Sequence, residues 1–100
     1  MKYKLFQLKN KTDYMFMELD FALEHGFSLD DYEVVYEGEV EPGAYIEDTL
    51  EQLFIIFNIH HPQDFKGHSM SVGDVVQVCG EFYYTNCSGF EVIKNRDLLQ

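Results

Sequence analysis

His60, His61, Asp64 and His68 form the one cluster in this sequence with the chemistry of a metal site. Neutral imidazoles beside a carboxylate could hold zinc or another divalent ion. Their spacing fits no standard metal motif, however, and a histidine in a loop usually donates to a nearby backbone carbonyl. The same residues therefore also read as a structural loop between a helix and a strand, or as contacts for a small ligand or partner. No metal or cofactor is assigned to them. Ser69 and Ser71 beside His68 suggest a nucleophile and base, but near neighbours in sequence rarely face each other productively and no oxyanion feature accompanies them. Gly73-Asp74 reads as a turn entering a strand, with the Ser71 or Asp74 side chain bonding backbone amides. Cys79 and Cys87 could meet across a hairpin as a redox pair, although two free thiols are the commoner arrangement. No catalytic residue is assigned, and a non-enzymatic protein is expected.

Charge gives a stronger signal. Lys and Arg number 7 against 18 Asp and Glu, for a net charge of −11. Between Lys11 and Lys66 there is no Lys or Arg, while acids recur from Asp13 to Asp64. Nucleic-acid phosphates are bound by cationic side chains that release counterions, so direct nucleic-acid binding is not expected. Anionic membrane surfaces are disfavoured on the same ground, and a charged partner should be a basic protein. The candidate partner surface is acidic: Glu33, Glu37 and Glu39 on a predicted strand, flanked by Asp30, Asp31 and Glu41.

The elements that position these residues follow from spacing. Tyr3 to Leu8 predicts a strand. Thr12 or Asp13 can cap a helix over about 14–25, with Phe16, Leu19 and Leu23 on its apolar stripe and Ala22 beside them. Gly26 is placed to end it in the left-handed conformation. In Tyr32 to Val40, Tyr32, Val34, Tyr36 and Val40 alternate with Glu33, Val35, Glu37 and Glu39, which predicts one apolar and one acidic face. Unpaired carboxylates are too costly to bury, so the acidic face must meet water or a basic partner. Along such a face carboxylates repeat about every 6.6–7 Å, a scale comparable to phosphates along a DNA strand, so a partly DNA-like surface is physically available.

Ile46, Leu50, Leu53, Phe54 and Phe57 predict a second helix over about 45–58. Ile55 and Ile56 widen its apolar face and suggest deep burial. Pro62 stops it, and residues 63–73 read as a loop or a short helical turn. Val75 to Cys79, Glu81 to Thr85 and Gly89 to Ile93 predict three short strands, with a frayed tail from Lys94. The order β-α-β-α-β-β-β over 1–100 is that of one α+β domain, with two helices packed on one face of a mixed, mainly antiparallel sheet.

The longest apolar run, Leu53 to Phe57, is far short of the ~20 residues a membrane helix needs. Met1 to Leu8 lacks the apolar stretch and cleavage site of a signal peptide. A cytoplasmic protein with reduced thiols is expected.

Several of these segments together resemble the YodL-like domain. They are Phe16–Gly26 (FMELDFALEHG), Tyr32–Gly38 (YEVVYEG), Phe57–Pro62 (FNIHHP), Asp64–Val76 (DFKGHSMSVGDVV), Tyr83-Tyr84 and Gly89-Phe90. The resemblance covers about Leu5 to Ile93, and its most specific block is GHSMSVGDVV. It implies a protein of mobile genetic elements, namely conjugative transposons, plasmids and phages, mostly of Gram-positive bacteria. It carries over no catalytic residue, and Cys79 and Cys87 lie outside its pattern. Three functions are consistent with this reading. The first is an accessory protein that works by protein–protein contact. The second is an acidic inhibitor occupying the DNA-binding cleft of a host nuclease, as anti-restriction proteins do. The third is a small metal- or ligand-binding domain.

Overall fold

Alternating side chains at Tyr3, Leu5 and Gln7 set the central strand. In the computed structural model, which describes residues 1–98, β1 (Lys2–Leu8) buries all three on one face. β1 is flanked by β2 (Tyr32–Glu39) and β3 (Val75–Val78), and β4 (Glu81–Asn86) and β5 (Gly89–Val92) extend the sheet beyond β3. The order is β2-β1-β3-β4-β5 and every neighbouring pair is antiparallel, so the expected mixed sheet is corrected to a purely antiparallel one. β2 and β3 lie on either side of β1, and the chain between them crosses the sheet as α2 (Ile46–Ile59).

The helices occupy opposite faces, contrary to the expected single helical layer. Leu50, Leu53 and Phe57 of α2 pack with Tyr3, Leu5, Val76 and Val78. Leu19 and Ala22 of α1 (Leu19–Glu24) pack with Tyr14, Phe27, Val75 and Tyr84. The strand sequences explain this. β3 and β4 carry apolar residues at successive positions (Val75-Val76, Phe82-Tyr83-Tyr84), so both of their faces need cover.

α1 starts five residues later than its periodicity predicts. Phe16 adopts φ +64° and is 57% exposed, which breaks any helix through it and removes it from the buried stripe. Tertiary bonds fix the start instead: the Leu19 amide donates to Asn86 Oδ1 at 2.9 Å, and the Cys87 amide donates to Glu18 Oε2 at 2.8 Å. Gly26, at φ +85°, follows the helix in the left-handed conformation as its position suggested. α2 is capped by Asp48, whose carboxylate accepts from the Tyr45 amide. The helix is less buried than its composition implies, because only one face meets the sheet. Phe54 and Ile55 are part-exposed and Ile59 is 66% exposed.

The tail predicted to fray from Lys94 instead forms a single turn, α3 (Asn95–Leu98), with Leu98 packed on the α1-side cluster. The last two positions of that tail, 99–100, lie outside the described residues. No described helix is long and apolar enough to cross a membrane.

Candidate functional site

The acidic strand is not the single-faced row its alternation predicts. β2 pairs with β1 in the register Leu5 to Tyr36 and then Phe6 to Val34, so Val35 is an extra residue and the strand carries a β-bulge. Val35 and Tyr36 both pack toward α2. The bulge inverts the alternation on either side of it. Glu33 lies opposite Gln7, on the α2 face, whereas Glu37 and Glu39 lie opposite Lys4 and Lys2, on the α1 face. The three carboxylates thus flank both sides of the strand, and all three are exposed. β2 is also an outer strand, so one row of its backbone donors and acceptors has no strand partner.

Lys4 Nζ stands 3.8 Å from Glu37, the one ion pair among the described residues. Both side chains are about half exposed or more, so the pair adds little stability. Asp30, in the short 3₁₀ turn Leu29–Asp31, and Glu41 stay exposed at the strand ends. Asp31 is different: it is half-buried and accepts the Tyr14 hydroxyl at 2.8 Å, so its first task is structural.

The histidine loop is not assembled as a site. Among the described residues no group of three or more His, Cys, Asp and Glu side chains could hold a metal ion. His60 is exposed at the end of α2, where its amide closes the last turn on Ile56 O. The His61 ring lies against Phe65, with Nδ1 at 3.2 Å from Pro62 O. Asp64 accepts the Tyr36 hydroxyl at 3.0 Å, which raises the Tyr36 pKa. His68 Nδ1 meets the Ser69 carbonyl at 2.8 Å. Among the described residues no serine hydroxyl bonds to His68. The cysteines are also apart. Both are exposed and free, at opposite ends of β4, and a strand of that length spans roughly 20 Å. The structure thus holds the two free thiols favoured over a redox pair, and both are exposed.

The structure instead joins residues that the sequence reading left unconnected. Gln7 is 2% exposed and Asp74 4% exposed. Gln7 Nε2 donates to Asp74 Oδ2 at 3.0 Å and to His68 O at 2.8 Å, and Gln7 Oε1 accepts the His68 amide at 3.2 Å. With both Nε2 hydrogens so used, the His68 Nδ1–H is left to donate to Ser69 O. The Ser71 amide also donates to Asp74 Oδ2, at 3.0 Å. Gly67 closes over this knot. A Cβ there would stand 2.5 Å from Gln7 Oε1 and 2.8 Å from the Phe65 ring, so no larger residue fits without a shift. The signal for Gln7 was available: it is the lone polar residue in the buried parity Tyr3, Leu5, Gln7.

Burial pushes the Asp74 carboxyl up to about 6, and the Ser71 amide, the Gln7 amide and His68 restrain the rise. The folded chain then binds a proton between that value and the ordinary 3.8 that the unfolded chain does not. Asp74's contribution to stability is complete below the ordinary value and is lost as pH rises through about 6. Asp74→Asn, which keeps one oxygen for both donors, should remove that dependence. Urea midpoints of parent and variant at about pH 5 and pH 8 test this. The parent is expected to lose on the order of 1–1.5 kcal/mol more than the variant across the interval.

Burial also pushes Tyr3 up to about 12 and raises Tyr14, Tyr32 and Tyr84 further, so these phenols keep their protons, and the last three donate them in hydrogen bonds. Tyr32 donates to Gly73 O at 2.6 Å and Tyr84 to Met17 O at 2.7 Å.

A family model described as the YodL-like domain matches residues 2–95. The chain belongs to the YodL-like domain family. The match runs from β1 into the start of α3, so it covers the whole sheet together with both larger helices. Within this YodL-like domain, the Gly67–Val76 block builds the buried knot around Gln7 and delivers the chain into β3. No curated protein and no solved structure matches the chain.

Proposed function

We propose that this YodL-like domain is a non-enzymatic accessory protein of a mobile genetic element. It acts in the cytoplasm by binding another protein, and its docking surface is the β2 edge. The observation that carries this reading is an outer strand with unpaired backbone and carboxylates on both sides. An extended segment of a partner adds to such an edge through main-chain hydrogen bonds, and its side chains select on charge. Glu33, Glu37 and Glu39, flanked by Asp30 and Glu41, favour Lys and Arg on the incoming strand. Asp31 adds to the local negative field. A second copy of this chain would bring the same carboxylates against these, so self-pairing along β2 is opposed. Val34, 41% exposed beside the acids, supplies apolar contact area.

The same charge opposes direct binding to nucleic acid or to an anionic membrane. An inhibitor that mimics DNA draws on the same acids, but the bulge at Val35 takes Glu33 out of line with Glu37 and Glu39, which favours strand addition. The test is the variant Glu33→Gln/Glu37→Gln/Glu39→Gln. These exposed substitutions should change stability by less than about 0.5 kcal/mol, while binding of a basic partner should be lost. Hydrogen exchange separates the two modes: strand addition protects β2 amides, and side-chain mimicry leaves them unprotected.

A further inference from the structure

The opposite end of the sheet carries a groove that the acidic edge does not explain. It has a volume of about 540 Å³ and lies between α2, the Met70–Val72 segment and the β4–β5 turn. That volume falls in the range of small-molecule sites, roughly 300–1,000 Å³. Its walls are apolar: Phe54 and Ile55 from the helix, Met70 from the loop and Phe90 from β5. Phe54 and Ile55 are 38% and 49% exposed, so the helix presents its uncovered side here.

Two polar side chains within this lining have no protein partner. Ser71 Oγ and Thr85 Oγ1 are both buried without a hydrogen bond, and Thr85 as a whole is 2% exposed. Thr85 is paired with Phe90 and shares its face of the sheet, beneath α2. A buried hydroxyl without a partner is unfavourable, and native proteins rarely leave such groups unpaired. The one ionisable carboxylate of the lining is Glu51, with no Lys, Arg or His among the lining residues.

We propose that this groove is a binding site for a small aromatic amine. The ring lies against Phe54, Ile55, Met70 and Phe90, the protonated amine sits beside Glu51, which supplies the opposite charge, and a side-chain rotation at Ser71 and Thr85 turns their buried hydroxyl oxygens toward it. All three groups accept hydrogen bonds from an N–H donor, and the net charge of −11 repels anionic molecules.

The test titrates the ¹⁵N-labelled protein with tryptamine and, separately, with indole-3-propionate, which carries a similar ring and the opposite charge. Saturable shifts with tryptamine at Ser71, Thr85 and Phe90 are expected, with none from the acid. Thr85→Val should weaken tryptamine binding about tenfold, the loss of one hydrogen bond. Phe54→Ala, at a part-exposed position that does not hold the core, should weaken it by a similar factor and serves if the Thr85 variant does not fold. Equal binding of the acid, shifts confined to Glu33–Glu39, no saturation at millimolar tryptamine, or unchanged affinity in the variants would each overturn the assignment.

Discussion

Phe57→Ala is expected to lower stability by about 4 kcal/mol, the loss typical of a large aromatic removed from a core. Phe57 is 1% exposed and sits at the centre of an aromatic cluster. Its ring centroid lies 4.8 Å from Phe65, 5.5 Å from Tyr36 and 6.0 Å from Tyr3, all in edge-on contact. Those partners come from β1, β2 and the loop after α2, so the cavity would open where α2 meets three other segments. A domain of this size holds roughly 5–15 kcal/mol in total, and the variant should be partly unfolded at moderate temperature. Urea denaturation should show a lower midpoint with an unchanged slope. Ile59→Ala, on the exposed side of the same helix, should move the midpoint little. If both variants lose the same amount, α2 is not held by the face described here.

Gln7→Leu is the second large effect, about 3 kcal/mol of destabilisation at neutral pH. Leucine fills nearly the same volume, so the loss is not one of packing. It strands the Asp74 carboxylate with the Ser71 amide alone and leaves the His68 amide and carbonyl without the partners Gln7 supplies. Leaving a buried charged group under-bonded costs more than the bond itself contributed. Because Asp74 takes up a proton near pH 6, part of the loss should be recovered on acidification. In the double variant Gln7→Leu/Asp74→Asn the two effects should couple rather than add. Strict additivity would mean that Gln7 and Asp74 do not share the knot.

The α+β class, the five strands and α2 were legible because each rests on local alternation or helical spacing. What escaped was decided by contacts distant in sequence. The late start of α1 depends on Asn86 and Cys87, nearly 70 positions away, tethering Glu18 and Leu19. The β2 bulge leaves no mark in the sequence, since Val34-Val35 reads equally well as an unbroken strand. Yet it decides on which face of the sheet Glu33 falls. The helices appear on opposite faces only once β3 and β4 are seen to be apolar on both sides. His60, His61, Asp64 and His68 looked like one group because they are close in the chain. The fold gives them separate hydrogen bonds or leaves them in solvent. The Gln7–Asp74 pair, spanning 67 positions, was visible only as a polar residue in a buried register.

The proposed β2 docking surface is tested most directly by comparing immobilised parent with Glu33→Gln/Glu37→Gln/Glu39→Gln. Each is exposed to lysate from host cells and eluted over rising salt. A protein with a basic surface, held by the parent, released at moderate salt and absent from the variant, is the predicted result. The same protein held equally by the variant, or held by the parent against high salt, would contradict it.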